Sequence, residues 1–254
     1  MKPEIQKFFK GDADDGEETL TKYSHDASLL EVRPELVLYP KDSLDVQNLV
    51  KWVSDNKQKY PNLGITARAA GTCMSGGSIG ESIILDFTRY MNKLIKFEGS
   101  EITVQPGMFY RDFEKITLQK DLILPCYTAS KSINAVGGMF GNNSAGERTL
   151  KYGKTEDYVV ASKVVFSDGV ERVVSPFVVG EIAKKEDFYK KLYELIKDNE
   201  VEIKNAKPKV HKNSAGYYIW NVITQTVKNS PALPFPDYRV GLTLLRILLK
   251  FCLI

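Results

Sequence analysis

The chain has 254 residues, 43% of them hydrophobic, enough to bury a substantial core in one large domain or two small ones. Charged residues make up 26%, the net charge is only +3, and no Arg/Lys stripe with interleaved aromatics occurs, which argues against nucleic acid as a partner. Three widely spaced cysteines, Cys73, Cys126 and Cys252, exclude a disulfide framework and any C-x-x-C metal site, and they fit a reducing cytoplasm.

Residues 1–33 read as an N-terminal arm, a short helix and a loop laid over the body, with no apolar signal-peptide core at Met1–Gln6. The acidic run Gly11–Glu18 lacks the length and spacing of a calcium loop and reads as a solvated surface turn. Glu35–Tyr39 is an apolar strand stopped by Pro40. Asp42 or Ser43 can cap the helix that follows, in which Leu44, Val46, Leu49, Val50 and Val53 recur at helical spacing. That helix ends near Tyr60-Pro61, because the residue before proline avoids helical geometry. Leu63–Ala67 and Ser82–Phe87 read as strands.

Between those two strands lies Arg68-Ala-Ala-Gly-Thr-Cys-Met-Ser-Gly-Gly77, small and nearly uncharged. Such a loop either serves tight turns alone or gathers backbone N–H groups into a nest for an oxyanion such as phosphate. A second small-residue segment favours the nest. After a strand at Glu101–Gln105, a helix from Phe109 to Lys120 and a short strand at Asp121–Pro125, residues 129–146 form a long amide-rich loop. A structureless loop of that length in a compact domain is uncommon unless it is functional, and its Asn side chains and free N–H groups suit a polar heterocycle or a phosphate.

Tyr158–Val174 reads as a hairpin turning at Asp168-Gly169, Glu186–Asn199 as an amphipathic helix, and Ala215–Thr226 as a further helix capped by Asn213 or Ser214. The stretch 240–254 breaks with everything before it, being almost wholly apolar. It is too short for a membrane span. It would suit association with a membrane surface, a core helix of a domain not present, or, the preferred reading, a piece left by a premature or out-of-frame end that no longer serves the fold.

Two familiar nucleotide motifs are absent. Gly153-Lys154-Thr155 resembles the end of a P-loop, but position 148 is Arg148 where a glycine is required. No G-x-G-x-x-G follows a strand, so the dinucleotide fingerprint is missing as well.

Taken together, the two loops and their flanks resemble the FAD-binding domain of the vanillyl-alcohol-oxidase (PCMH-type) flavoprotein superfamily, in the branch of D-lactate dehydrogenases and the glycolate oxidase FAD subunit. The likeness runs from about Pro34 to Gly169. It rests on Val37-Leu38-Tyr39-Pro40, on the Arg-Gly-Gly-Gly-Thr-Ser-Leu-Ser-Gly-Gly pattern standing as Arg68 to Gly77, and on Val104-Gln105-Pro106-Gly107. It continues through Pro125, Val136-Gly137-Gly138, Asn142 and Ala145-Gly146, then Tyr152-Gly153 with Asp157, and closes on Val165-Phe166-Ser167-Asp168-Gly169. Ala69 and Ala70 replace two of the family's glycines, which requires a negative φ at both.

The resemblance implies an α+β fold, a bipartite PCMH-type domain with FAD held between two α/β subdomains. The expected division is an arm over 1–33, the FAD-binding domain over 34–175, the start of a following region over 176–239 and the apolar tail, with the family's cap domain absent. Arg68, Ala69, Ala70, Gly71, Thr72, Cys73, Met74, Ser75 and Gly76 would cradle the diphosphate. Pro125, Ala135, Gly137, Gly138, Asn142, Asn143, Ser144 and Gly146 would line the flavin and ribityl chain, and Val160 or Val165 would meet the adenine side. Some relatives tether flavin through a histidine where Thr72 or Cys73 stands, so non-covalent FAD is expected. Lys212 or Asn213, before Ala215-Gly216-Tyr217, would hold a substrate carboxylate, or else form only a helix start with an exposed lysine. No metal site and no catalytic base is assigned.

Three functions stay open. The first is an FAD-dependent oxidoreductase, or its FAD-binding part, oxidising a 2-hydroxy acid such as D-lactate or glycolate and passing electrons to an acceptor partner. The second is an enolpyruvyl sugar-nucleotide reductase on the same fold. The third is a non-catalytic flavin-binding chain, or one completed by another subunit.

Overall fold

The computed structural model describes residues 1–175, 179–210 and 245–253. Its first part is a four-stranded sheet of β1 (Asp12–Asp14), β2 (Leu36–Tyr39), β3 (Ile65–Arg68) and β4 (Ile83–Asp86) in the order β1-β2-β4-β3. β4 runs parallel to both β2 and β3, and β1 closes one edge antiparallel. Helices α1 (Lys2–Ile5), α2 (Glu17–Tyr23) and α3 (Ser43–Asn56) belong to this half. Every residue of β2 and β4 is buried, as expected of parallel strands covered on both faces. The period of two divides them cleanly. Leu36, Leu38, Ile83 and Leu85 pack with Val46, Leu49 and Val50 of α3, while Val37, Tyr39 and Ile84 pack with Leu20 and Tyr23 of α2.

Asp42 settles the choice of cap. Its carboxylate accepts from the N–H groups of Leu44 and Asp45, satisfying donors that the first turn of α3 leaves open. The acidic run departs from the expected surface turn. Its residues 12–14 pair with β2, and Asp12 accepts from Arg89 (2.9 Å) and Tyr90 (2.6 Å). A strand edge needs backbone partners, and the carboxylates that would discourage pairing are met by donors, Asp12 from the segment after β4 and Asp14 from Gly16 N–H and the Thr19 hydroxyl at the start of α2.

The second sheet is antiparallel throughout. It comprises β5 (Leu94–Glu98), β6 (Glu101–Val104), β7 (Val159–Val165), β8 (Glu171–Val174) and β9 (Leu245–Cys252) in the order β5-β6-β9-β7-β8. The position of β9 corrects the reading of the apolar tail as a remnant outside the fold. It is the central strand, paired with β6 on one side and β7 on the other. A strand flanked on both edges accepts a continuous apolar run, and such a run cannot be told from a helix by periodicity.

Helices α4 (Tyr110–Leu118), α5 (Val136–Gly141), α6 (Thr149–Tyr152), α7 (Asp187–Asp198) and α8 (Glu200–Ala206) complete the described elements, with 3-10 turns at Thr155–Tyr158 and Val179–Lys184. The hairpin of β7 and β8 turns at Asp168-Gly169 with Gly169 at φ 76°, as read from the sequence. The short strand expected at 121–125 does not form. Asp121 takes a left-handed turn (φ 55°), and Leu124 is buried without sheet pairing, its carbonyl accepting from the Tyr110 hydroxyl at 3.1 Å. β5 was not expected from the sequence: Ile95 and Phe97 alternate with Lys96 and Glu98, but the run is only five residues long and four of them are exposed. The helix expected at 215–226 lies outside the described residues. Among the described residues no helix is long and apolar enough to cross a membrane.

Candidate functional site

The two small-residue segments face each other across a cavity of about 400 Å³. One wall is the chain leaving β3, from Ala67 through Ser78; the other is drawn from Thr128 to Ala145, with Phe87 and Pro106 between them. The cavity therefore opens beyond the carboxyl ends of parallel strands β3 and β4, the place where open parallel sheets bind ligands.

The first wall is shaped by glycine. Gly71 and Gly76 have φ of 68° and 75°, a region other L-residues rarely enter. Ala69 and Ala70 are absent from the positive-φ residues, so both meet the condition their substitution imposed. Among the described residues, none of the backbone N–H groups from Gly71 to Gly76 donates a hydrogen bond. Six such donors in a loop without large charged side chains form a cradle for an oxyanion. Arg68 lines the cavity but is already engaged. Its guanidinium donates to the carbonyls of His25 (2.8 Å) and Ser78 (3.3 Å) and lies 4.9 Å from the centre of the Tyr23 ring. It braces the base of the loop.

The second wall holds a helix the sequence did not announce. Val136–Gly141 contains three glycines yet forms α5, against its intrinsic propensity. Tertiary ties override that propensity. Val136 N–H donates to Met108 O (2.9 Å) and Gly137 N–H to Pro106 O (2.8 Å). A Cβ on Gly137 would lie 2.6 Å from that same Pro106 oxygen, whereas one on Gly138 would meet nothing within 4 Å, leaving open space at the wall.

Of the residues expected at the cofactor, Arg68 to Ser75, Ala135, Gly137, Gly138, Asn142 and Ser144 line this cavity. Gly76, Pro125, Asn143, Gly146, Val160 and Val165 stand outside the lining. Gly76 shapes the loop behind it. Asn143, at φ 41°, spends its side-chain oxygen on the N–H of Glu156 at 3.0 Å. Gly146 is packed so closely on the Tyr127 carbonyl that any Cβ would collide with it. Val165 is fully buried in the core of the first sheet. Lys212 and Asn213 lie outside the described residues.

Sequence reasoning passed over Ser78, Phe87, Pro106, Thr128, Met139 and, above all, Asn134. Asn134 lines the cavity and is 4% exposed. Its amide nitrogen donates to Thr128 Oγ1 at 2.7 Å, but its buried Oδ1 has no partner. A buried acceptor left open costs stability unless a donor meets it. The only available signal was an amide placed directly before Ala135-Val136-Gly137-Gly138.

A ligand fitting this site brings an anion to the loop and an N–H or O–H donor to Asn134. Residues 34–175 match the family model described as an FAD binding domain. The chain belongs to this FAD-binding family. FAD is its cofactor, and the residues present fit it: its diphosphate suits the N–H cradle, and its ring N–H and hydroxyls suit the open acceptor of Asn134.

This FAD-binding chain is similar to curated proteins and to solved structures. It is 26% identical over 229 residues to a D-2-hydroxyglutarate dehydrogenase of Haemophilus influenzae, covering 85% of this chain and 22% of that protein. It is 30% identical over 151 residues to the glycolate oxidase subunit GlcD of Bacillus subtilis, covering 58% of this chain and 31% of that protein. Among solved structures, an alkyldihydroxyacetonephosphate synthase superposes with a TM-score of 0.64 at 17% identity, over 100% of this chain and 40% of its own, which shows the shared fold. The chain thus spans about a fifth to a third of the length of these curated relatives.

Proposed function

We propose that the chain is the FAD-binding part of an oxidoreductase acting on a small 2-hydroxy acid, of the size and charge of D-lactate, glycolate or D-2-hydroxyglutarate. The observation that carries this reading is that the residues Gly71 to Ser75, whose N–H groups donate to nothing in the protein, and Asn134 line one cavity. Relatives whose names record hydroxy-acid dehydrogenases and an oxidase support the substrate class. When bound, FAD supplies an acceptor for a hydride. Residues 68–77 hold and neutralise its diphosphate, Asn134 orients it, and Phe87 and Met139 keep water from one side. We read the cofactor as held without a covalent bond, since among the described residues no histidine lines the cavity. The sparse, widely spaced cysteines favour a cytoplasmic setting.

One observation favours a second reading, that turnover needs another domain or subunit. Among the described residues that line the cavity, the ionisable side chains are Arg68 and Cys73 alone. Arg68 is committed to His25 and Ser78, and no carboxylate or imidazole there can take the hydroxyl proton that hydride removal requires. On this reading the base lies outside the described lining, and a partner accepts the electrons.

The test is FAD titration of the chain followed by acid precipitation. Saturable binding with flavin released to the supernatant is expected, and Gly71→Val, whose side chain and φ both oppose the loop, should abolish it. Undiminished binding by that variant would remove the loop from the site. Turnover of the three hydroxy acids with an artificial acceptor then separates a self-sufficient catalyst from a chain needing a partner.

A further inference from the structure

The N-terminal arm does more than cover the body. Between α2 and β2 the chain makes a closed loop: Val32 N–H donates to Ser24 O at 2.9 Å, and His25 bridges Glu31. This loop reaches residues 68–78 from outside at four points. Ala27 N–H donates to Gly71 O at 3.1 Å. Ser78 Oγ donates to Asp26 Oδ2 at 3.0 Å, while Asp26 Oδ1 is held by Ser28 N–H at 2.8 Å. Leu30 lies against Gly76, its Cδ1 2.7 Å from where a Cβ would stand. Arg68 ties the other end through His25 O, and Tyr23, under the guanidinium, donates to buried Asp86 at 2.7 Å.

These contacts bear on the direction of the loop's donors. In a trans peptide the C=O and the following N–H point opposite ways, and no cis peptide occurs here. Fixing Gly71 O toward Ala27 directs the N–H of Thr72, a cavity-lining residue, away from the arm. The grip on Ser78 by Asp26 and Arg68 fixes the far end. A cradle of N–H groups binds an anion well only when held in place beforehand, because each donor left to reorient adds an ordering cost at binding. Glycine-rich chain has the most such freedom.

We propose that residues 23–32 form a strap that pre-sets the diphosphate loop for FAD, with Asp26 as the positioning residue at its centre. This rests on residues 68–77 being the diphosphate loop. Asp26 is not among the residues that line the cavity; it acts through Ser78 and through the strap's own turn.

The experiment measures FAD dissociation constants by flavin fluorescence, and melting temperatures without FAD, for wild type, Asp26→Ala, Asp26→Asn and Gly71→Val. Asp26→Ala should weaken FAD about tenfold with the apo melting temperature unchanged. Asp26→Asn should recover most of that loss, because its amide keeps an acceptor for Ser28 and offers a donor to Ser78. The strap is overturned if Asp26→Ala binds within about twofold of wild type, if Asp26→Asn gives no recovery, or if affinity falls only in step with apo stability. Gly71→Val reports separately on the loop: if it binds FAD like wild type, the loop reading itself is wrong.

Discussion

The ring of Phe251 meets the ring of Phe113 edge-on, with 5.9 Å between centroids and 79° between planes. Both residues are fully buried, and they join the last described strand to helix α4 and the core of the second sheet. Phe251→Ala should therefore cost about 3–5 kcal/mol, read as a lowered midpoint in urea unfolding, while Phe251→Leu should cost under about half as much. A tail that did not serve the fold would tolerate either change without a shift.

Asn134 yields a prediction of opposite sign for two observables. Its Oδ1 is buried without a partner in the protein. Asn134→Leu removes that unmet acceptor, so stability without FAD should hold or rise, while FAD affinity should fall about five- to thirtyfold, the worth of about 1–2 kcal/mol. Calorimetry of the unliganded variant and FAD titration check both. Unchanged affinity would leave Asn134 a structural residue only.

The cysteines offer a chemical footprint. Burial pushes the Cys126 thiol up to about 12, so at pH 8 it is neutral, inaccessible and inert. Cys73 lines the cavity, its sulfur accepting from Gly77 N–H at 3.3 Å. A thiol reagent should therefore show a component that disappears in Cys73→Ser and slows at least about tenfold when FAD saturates the chain. A Cys73 rate indifferent to FAD would mean that the cofactor does not cover the loop.

Acid should loosen the hairpin of β7 and β8. Arg172 forks onto both oxygens of Asp168 (3.0 and 2.8 Å) and also binds Glu186 at 2.7 Å. The Arg172 hydrogen bonds, opposed by partial burial, hold the Asp168 carboxyl below its usual range. A depressed folded value means stabilisation that is present above the unfolded value and lost as pH falls through the folded one. Asp168→Asn should thus be less stable than wild type at neutral pH, and the difference should shrink as acid protonates Asp168 and vanish once pH is below its depressed folded value. A gap that persists in acid would show that the charge is not its source.

Much of the first sheet could be read directly. β2 and β4 are short apolar runs with nothing else to be, and α3 announces itself by Asp42 and the spacing of Val46, Leu49, Val50 and Val53. α5 could not be read, because Val-Gly-Gly-Met-Phe-Gly is poor helix material and becomes helical through ties to Met108 and Pro106, about 30 residues earlier in the chain. β5 escaped because its alternation, Ile95 and Phe97 against Lys96 and Glu98, spans too few residues to stand out from a surface loop.

By itself the sequence determined where glycine and small residues cluster, and hence which two stretches can bring bare backbone to a ligand. That information is local, since the absence of side chains and the tolerance of positive φ at Gly71 and Gly76 belong to the residues themselves. Only the tertiary structure decided that the stretches face one cavity, that Arg68 braces the loop, that Asn134 keeps an unmet acceptor, and that Leu245–Cys252 lies at the centre of a sheet. Each of these depends on partners distant in sequence. An apolar run has no preferred structure until neighbouring strands offer it hydrogen bonds, and an arginine serves whichever carbonyls the fold brings within reach.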